Sequence, residues 1–160
     1  MSIVPVLRVF SIKFWTLKKV IKKILGTIEE VNFPEVQLFG IKSKVDTGAS
    51  TSSIDAKQIK IIQRDEANIL QCRLISSHHP FVEFPDFTTR EVKSSNGSVE
   101  LRYVIKLQIR LYGKNFKSEF TLANRNSMTY PVLLGKRLLN GRFLVDVSQR
   151  NLSSKHEKEL

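Results

Sequence analysis

The clearest alternation of apolar and polar residues runs through residues 101–111. Its apolar side chains fall on one face of an extended chain: Leu101, Tyr103, Ile105, Leu107, Ile109 and Leu111. Successive side chains of a β-strand point to opposite faces of the sheet. The two-residue period therefore predicts a long strand with one buried face and one face in water.

Turn signals lie on both sides of this strand. Residues 112–115, Tyr-Gly-Lys-Asn, lead into residues 116–122, where apolar and polar residues again alternate. Ahead of the strand, Asn96-Gly97 suits a two-residue hairpin, whose central residues need positive φ. We therefore expect three antiparallel strands within residues 91–122.

The rest of the chain after Gly26 also favours β structure. Further short apolar runs occur at residues 59–62, 69–75, 132–134 and 143–147. One short helix is expected near residues 136–140. No alternation of strand and helix and no repeat of 20 to 50 residues occurs, so the pattern predicts a mostly antiparallel β body.

Residues 1–25 follow a different pattern. On a helix they divide into an apolar face with Phe10, Phe14, Leu17, Ile21 and Ile24 and a basic face with Arg8, Lys18, Lys19 and Lys22. Lysines interrupt the apolar run too often for a membrane-spanning helix or a secretory signal. We expect a basic amphipathic helix, with residues 6–25 in weak contact with a membrane surface. The alternatives are a helix that covers the domain and poorly ordered residues from an upstream start codon.

Length and charge set broad limits on function. The 160 residues suffice for one domain, and 26 Lys plus Arg against 15 Asp plus Glu give a net charge of +11. A basic surface attracts nucleic acid, acidic peptides and phospholipid alike, so charge alone does not choose among them. The single cysteine, Cys72, excludes an internal disulfide, fits a cytoplasmic chain and lies in an apolar run typical of a buried strand.

Residues 44–56, Lys-Val-Asp-Thr-Gly-Ala-Ser-Thr-Ser-Ser-Ile-Asp-Ala, contain the strongest candidate for chemistry. Apolar residues lead into Asp46 and small, hydroxyl-rich residues follow it, so Asp46 is expected where a strand turns sharply. Two carboxylates held side by side share one proton, and such a pair can activate water while protonating a carbonyl oxygen. The alternative is that Asp46 only begins an ordinary turn.

Two motifs in this chain resemble those of retropepsin-like aspartic proteases. Residues 45–49, Val-Asp-Thr-Gly-Ala, resemble the active-site strand, and residues 132–135, Val-Leu-Leu-Gly, resemble the apolar-apolar-glycine motif beneath it. The closer resemblance is to the bacterial group labelled "ATP-dependent zinc proteases", whose pattern residues 23–148 follow. It implies a mostly β, retropepsin-like closed barrel (the acid protease fold) with one short C-terminal helix.

The resemblance also assigns roles to residues. It implies Asp46 as the catalytic residue, Thr47, Gly48 and Ala49 as the active-site loop, and Leu133, Leu134 and Gly135 as the motif beneath that loop. Ser50 departs from the group, in which a basic residue is frequent, and this departure bears on specificity more than on catalysis.

The zinc and ATP of the group's label find no support in these residues. The three histidines, His78, His79 and His156, form no H-E-x-x-H motif, and we expect His78 and His79 to lie in a polar loop before Pro80. No phosphate-binding G-x-x-x-x-G-K-[ST] loop is present. We therefore expect no metal and no cofactor.

An aspartic protease needs two carboxylates, and this chain holds one Asp-Thr-Gly. Two identical chains supply the second if their Asp46 loops meet on a two-fold axis, so we expect a homodimer. By resemblance, Thr47 hydrogen-bonds across that axis, and the hairpin at Ser95, Asn96 and Gly97 is the flap over the substrate. The alternative for this hairpin is a plain surface turn.

The resemblance therefore implies an aspartic endopeptidase that acts on peptide or protein substrates, and we expect it to bind no nucleic acid. Relatives that it resembles trim glutamates added to a ribosomal protein by an ATP-grasp ligase, which implies acidic or glutamate-rich tails as substrates. The alternatives are a non-catalytic peptide-binding module of the same fold and a membrane-peripheral basic domain. We expect an N-terminal extension (1–22), the protease domain (23–150) and a polar C-terminal tail (151–160).

Overall fold

A computed structural model of the chain describes residues 21–93 and 97–158. Its strands are β1 (Lys23–Leu25), β2 (Ile28–Phe33), β3 (Leu38–Val45), β4 (Ser52–Arg64), β5 (Ala67–Leu74), β6 (Phe81–Phe84), β7 (Phe87–Lys93), β8 (Val99–Leu111), β9 (Lys114–Ala123), β10 (Val132–Leu134) and β11 (Phe143–Val145). Within the described ranges, the helices are α1 (Lys136–Leu139) and α2 (Leu152–Lys158), and Pro34–Val36 form a 3-10 turn. The molecule is therefore mostly β, as the sequence predicts.

Strands β7, β8 and β9 form the antiparallel meander expected within residues 91–122. Strand β7 pairs with β8 from Phe87↔Ile105 to Lys93↔Val99, and β8 continues into β9. Between β8 and β9, Tyr112 has φ 52° and Gly113 φ 68°, which suits a tight two-residue turn. The predicted apolar face of β8 is buried from Ile105 to Leu111, which confirms the prediction there. It is wrong at Leu101, which is 66% exposed.

Six strands form a ring, because β10 pairs on both of its sides. The order around the ring is β10, β3, β2, β8, β9, β4 and back to β10. The ring is less regular than a closed barrel, since β2 meets β8 at the single pair Asn32↔Arg110. Strands β5 and β6 extend from β4, and β7 extends from β8.

The apolar core lies inside this ring. Phe33 and Phe120 meet edge to face there, with their ring centroids 5.4 Å apart. Cys72 on β5 is fully buried, and this burial raises the pKa of its thiol to about 12. The prediction of a buried strand cysteine is confirmed, and the thiol is not a nucleophile at neutral pH.

The N-terminal helix pattern does not extend as far as the sequence suggests. Residues 1–20 lie outside the described residues, but Ile24 belongs to strand β1, which pairs in parallel with β11. The helical assignment is therefore wrong for residues 23–25, because a distant strand supplies hydrogen-bonding partners that a local pattern cannot reveal. In the part of the chain that the structure describes, no helix is long and apolar enough to cross a membrane.

Helix α2 occupies most of the segment expected to be a polar tail, and a buried glutamate holds it. The Glu29 carboxylate on β2 accepts hydrogen bonds from the backbone N–H groups of Leu152 (3.1 Å) and Ser153 (3.0 Å) and from the Ser153 hydroxyl (2.8 Å). It also accepts one from the N–H of Gly26 (2.6 Å). The first N–H groups of a helix have no partners within the helix, so Glu29 satisfies donors that α2 itself cannot.

Candidate active site

Asp46 begins the loop that connects β3 to β4. One oxygen of its carboxylate, Oδ1, accepts hydrogen bonds from the N–H of Gly48 (2.9 Å) and of Ala49 (3.1 Å). The chain therefore turns back around its own aspartate, and the side chain is half-buried. The predicted sharp turn is present, and its small residues allow the backbone to approach the carboxylate.

Strand β10 lies directly beneath this loop. Leu134 pairs with Val45 in parallel, and its carbonyl accepts a hydrogen bond from the N–H of Asp46 (2.9 Å). On the other side of β10, Leu133 pairs with Ser53 of β4. The two motifs found in the sequence are thus adjacent, and β10 supports both ends of the Asp46 loop.

Gly135 is required by close packing against the loop. A Cβ atom at this position would lie 2.6 Å from the carbonyl carbon of Thr51 and 2.9 Å from the nitrogen of Ser52. The Gly135 N–H donates to the buried Ser52 hydroxyl (3.0 Å), and the next N–H, of Lys136, donates to the carbonyl of Ala49 (2.8 Å). Only a glycine lets β10 and α1 approach the loop this closely.

A cleft of about 770 Å³ opens beside the Asp46 carboxylate. Its lining combines Asp46 and the loop after it with residues of β7, β8 and the segment after β9. Strand β7 contributes Glu91, Val92 and Lys93, so an arm of the β7–β8 hairpin borders the cleft. Gly97 at the predicted flap is exposed with φ 87°, whereas Ser95 and Asn96 lie outside the described residues.

The family follows from this arrangement and from comparison with known proteins. Residues 24–156 match the family model RimB-like, described as "Retropepsin-like aspartic endopeptidase RimB". The chain belongs to this family. The resemblance seen in the Asp46 and Leu133-Leu134-Gly135 motifs is therefore confirmed.

Relatives in this comparison are longer proteins with a different kind of name. A "Probable alpha-L-glutamate ligase" of Desulfotalea psychrophila (strain LSv54 / DSM 12343) is 33% identical over 156 residues, which cover 86% of this chain and 33% of that protein. A protein of the same name from Shewanella halifaxensis (strain HAW-EB4) is 38% identical over 133 residues, 80% of this chain and 29% of its own length. The chain therefore spans about a third of these curated relatives.

A solved structure supports the fold. Lpg0085 of Legionella pneumophila subsp. pneumophila str. Philadelphia 1, a protein of unknown function (DUF785), matches with a TM-score of 0.68 at 25% identity. The match covers 82% of this chain and 98% of that one. Together with the family match, it confirms the mostly β, retropepsin-like fold expected from the sequence.

The cleft of this family member is rich in cations that the sequence did not single out. Arg90, Lys93, Arg102 and Arg125 line it, against the carboxylates of Asp46 and Glu91. These four cations come from β7, β8 and the segment after β9, so they form no cluster along the sequence. The overall basic charge was the only sequence signal for them.

Arg90 links the β7–β8 hairpin to the Asp46 loop. Its guanidinium donates to the Thr51 hydroxyl (3.2 Å) and to the Glu119 carboxylate (2.9 Å), and Arg137 of α1 donates to the same Glu119 oxygen (2.8 Å). The hydrogen bond from Arg90 is the main cause that lowers the pKa of Glu119, and Arg137 adds to it. Glu119 thus joins β7, β9 and α1 at the edge of the cleft.

Thr47 is exposed and lines a second cavity, of about 940 Å³, on the other side of the loop. Ser50 also faces this cavity, whose remaining lining comes largely from α1, β11 and the residues between them. The loop therefore separates a cleft under the hairpin from a groove beside β11.

The histidines lie apart from the cleft. Both ring nitrogens of His79 lie within hydrogen-bonding distance of backbone carbonyls, those of Val36 (3.0 Å) and Pro80 (3.1 Å), while His78 is exposed in the same turn. His156 packs against Tyr112. In residues 21–93 and 97–158, no three His, Cys, Asp or Glu side chains are arranged to hold a metal ion.

Proposed function

We propose that this chain is an aspartic endopeptidase that uses two Asp46 carboxylates, one from each subunit of a homodimer, to activate water. The observation that carries the proposal is the Asp46 carboxylate itself, which its own loop holds at the wall of a cleft. In the pair, one carboxylate is ionised and takes a proton from water, while the other is protonated and donates to the peptide carbonyl oxygen.

The second carboxylate comes from a second chain because the other acids near the cleft are poorly suited. Asp55 is buried and forms an ion pair with Lys57 (2.8 Å), and it accepts the backbone N–H of Arg125 (2.7 Å). Glu91 lines the cleft from the exposed face of β7. Two Asp46 loops that meet on a two-fold axis supply two equivalent carboxylates.

The groove beside β11 supports a second copy as the partner. Leu144 on β11 is 54% exposed, and Ile24, its neighbour on β1, is 44% exposed. Both lie on the small sheet next to the Thr47 side of the loop. An isologous dimer interface at this place would bury these exposed apolar residues and bring a second Asp46 next to the first.

Acidic, glutamate-rich peptides are the proposed substrates. The four cations of the cleft attract negative charge, and a cleft with charged walls concentrates ligands of opposite sign. Relatives named as probable glutamate ligases contain a segment similar to this chain, and a peptidase that removes glutamates is a chemical counterpart to such a ligase.

The test is the hydrolysis of a library of acidic peptides by the wild type and by Asp46→Asn. This nearly isosteric change removes the ionisable group from both subunits, so the rate should fall by roughly 10²- to 10⁴-fold while the fold survives. The wild type should also show a bell-shaped dependence of rate on pH, because the pair must hold one proton.

Glu91→Gln is the matched control, because it removes the other carboxylate that lines the cleft. Near wild-type hydrolysis is expected from this variant. Loss of activity in Glu91→Gln at the level of Asp46→Asn would mean that one chain supplies both carboxylates. Full activity of Asp46→Asn would rule out the aspartic peptidase mechanism.

A further inference from the structure

The charges in the cleft are not equally neutralised. Arg90 pairs with Glu119 (2.9 Å), and Arg102 pairs with Glu100 (2.7 Å). The Arg125 guanidinium forms no ion pair with any carboxylate of the described residues. Unlike the charges of Arg90 and Arg102, the charge of Arg125 is therefore not neutralised by an ion pair with a carboxylate of the described residues.

Neutral groups hold the Arg125 side chain in position. Its Nε–H donates to the Tyr130 carbonyl (3.0 Å) and its Nη1 to the Ser53 hydroxyl (3.2 Å). Its backbone N–H donates to Asp55 (2.7 Å). A guanidinium has five N–H donors in a rigid plane, so these two side-chain contacts orient it and leave donors of the Nη1 and Nη2 groups for a ligand.

Electrostatics favours an anion at this place. Arg125 is half-buried, and burial is the largest cause that lowers its pKa. Arg102 is close enough to lower it further, whereas the carboxylates of Asp55 and Asp46 act in the opposite direction. A guanidinium nevertheless stays charged in proteins, so an anion bound here would relieve both the incomplete solvation and the repulsion from Arg102.

We propose that Arg125 is the specificity-determining residue of the cleft and binds the carboxylate of an acidic substrate side chain close to Asp46. The proposal rests on the proposed peptidase function and adds the residue that selects the substrate. A carboxylate fits a guanidinium edge with two parallel hydrogen bonds, whereas the neutral amide of glutamine cannot accept both.

The first test measures binding without turnover. Fluorescein-labelled hexaglutamate and hexaglutamine are titrated into the Asp46→Asn protein, with and without Arg125→Met, and binding is followed by fluorescence anisotropy. Because a hydrogen bond to a charged group contributes about 1.5 to 3 kcal/mol, Arg125→Met should weaken hexaglutamate binding by roughly 10- to 100-fold. Hexaglutamine binding should change little.

Arg64→Met is the matched control for loss of positive charge. Arg64 pairs with Glu83 on the exposed face of the β4–β6 sheet and does not line the cleft. Arg64→Met should keep the affinity for hexaglutamate within about two-fold of that of the protein with Arg64, since surface charges contribute little at physiological salt. An equal loss in Arg64→Met and Arg125→Met, or an equal loss of both peptides in Arg125→Met, would overturn the proposal.

The second test uses hydrolysis by the otherwise wild-type protein. Arg125→Met should reduce the ratio of kcat/KM for the glutamate peptide to that for the glutamine peptide. Arg125→Lys, which keeps the charge but not the planar fork, should restore part of it. An unchanged ratio in both variants would overturn the proposal. If the wild type cleaves neither peptide, the peptidase function fails, and the binding test still decides the role of Arg125.

Discussion

At the scale of single residues, the site depends on positions where a side chain must be absent as much as on Asp46. Gly135 places β10 against the backbone of Thr51 and Ser52, and its N–H meets the Ser52 hydroxyl. Gly135 has no reactive side chain, so only the resemblance to the family, and not a search for catalytic groups, pointed to it in the sequence.

Gly135→Ala should disturb both stability and activity. The new Cβ would lie 2.6 to 2.9 Å from backbone atoms of the loop, which cannot rotate away. Overpacking of this kind costs about 1 to 3 kcal/mol of unfolding free energy. Urea denaturation and peptide hydrolysis measure the two effects.

Gly40→Ala is the comparison variant, because no atom lies within 4 Å of the added Cβ and only the positive φ of 65° is strained. It should lower stability by about 1 kcal/mol and leave catalysis intact. Equal activity in the two variants would contradict the role given to Gly135.

At the scale of elements, two junctions between helices and strands each depend on a single glutamate. Helix α2 has seven residues, too few for stability by itself, and begins at the buried Glu29 carboxylate. Strand β7, strand β9 and helix α1 meet at Glu119. Each contact joins parts of the chain that are far apart in sequence.

Glu29→Gln should release α2. The carboxylate accepts four hydrogen bonds, whereas an amide has one oxygen and an NH₂ group that would face N–H donors. Leaving such donors unsatisfied costs about 1 to 3 kcal/mol. Hydrogen exchange should increase in residues 151–158, and Glu30→Gln on the other face of β2 serves as the control. Unchanged exchange in Glu29→Gln would contradict this anchoring.

The Glu119 ion pairs should make stability sensitive to acid. Because the pKa of Glu119 is lowered from 4.5, its pairs stabilise the fold fully above about pH 4.5 and lose this effect as the pH falls through the lowered value. The side chains of Glu119, Arg90 and Arg137 are all partly exposed to solvent. The ion pairs should therefore contribute about 1 kcal/mol or less to the free energy of unfolding.

Glu119→Gln should therefore be less stable than the wild type near neutral pH, and the two should converge in acid. Thermal unfolding across a pH series measures this difference. Glu66→Gln, in the exposed turn between β4 and β5, should show no such convergence. A difference between the wild type and Glu119→Gln that grows in acid would contradict the assignment.

At the scale of the whole molecule, one chain offers one Asp46 and an exposed apolar strip on β1 and β11. The proposed dimer completes the pair of carboxylates and covers that strip in one step. Activity should therefore depend on protein concentration.

Leu144→Asp should weaken the dimer, because it places a charge on the exposed apolar side of β11. Specific activity should fall on dilution for both proteins, and the variant should lose activity at a higher protein concentration than the wild type. Sedimentation measurements should show the dimer dissociating over the same concentration range. Phe39→Asp introduces the same charge at another exposed apolar residue, at the end of β3 far from Asp46, and should leave the dilution curve unchanged. A fully active monomer would contradict the proposed pair.

Local patterns were enough for much of the fold. The alternation in residues 101–111 predicted β8 and the burial of its apolar face from Ile105 onwards, Asn96-Gly97 lay between two paired strands, and residues 136–140 contained α1. The Asp-Thr-Gly turn and the Leu-Leu-Gly motif were also recognisable. These features depend on neighbours within a few residues, where strand period, turn chemistry and small side chains act directly.

Only the tertiary structure decided which distant segments meet. Strand β10 lies between β3 and β4, residues 23–25 form a strand with β11, and α2 begins at Glu29. The cleft assembles Arg90, Arg102 and Arg125 from three separate segments. Such partners are set by hydrogen bonding and burial over the whole chain, and no local period records them. The sequence by itself therefore determined where the aspartate lies, and the fold decided which charges surround it.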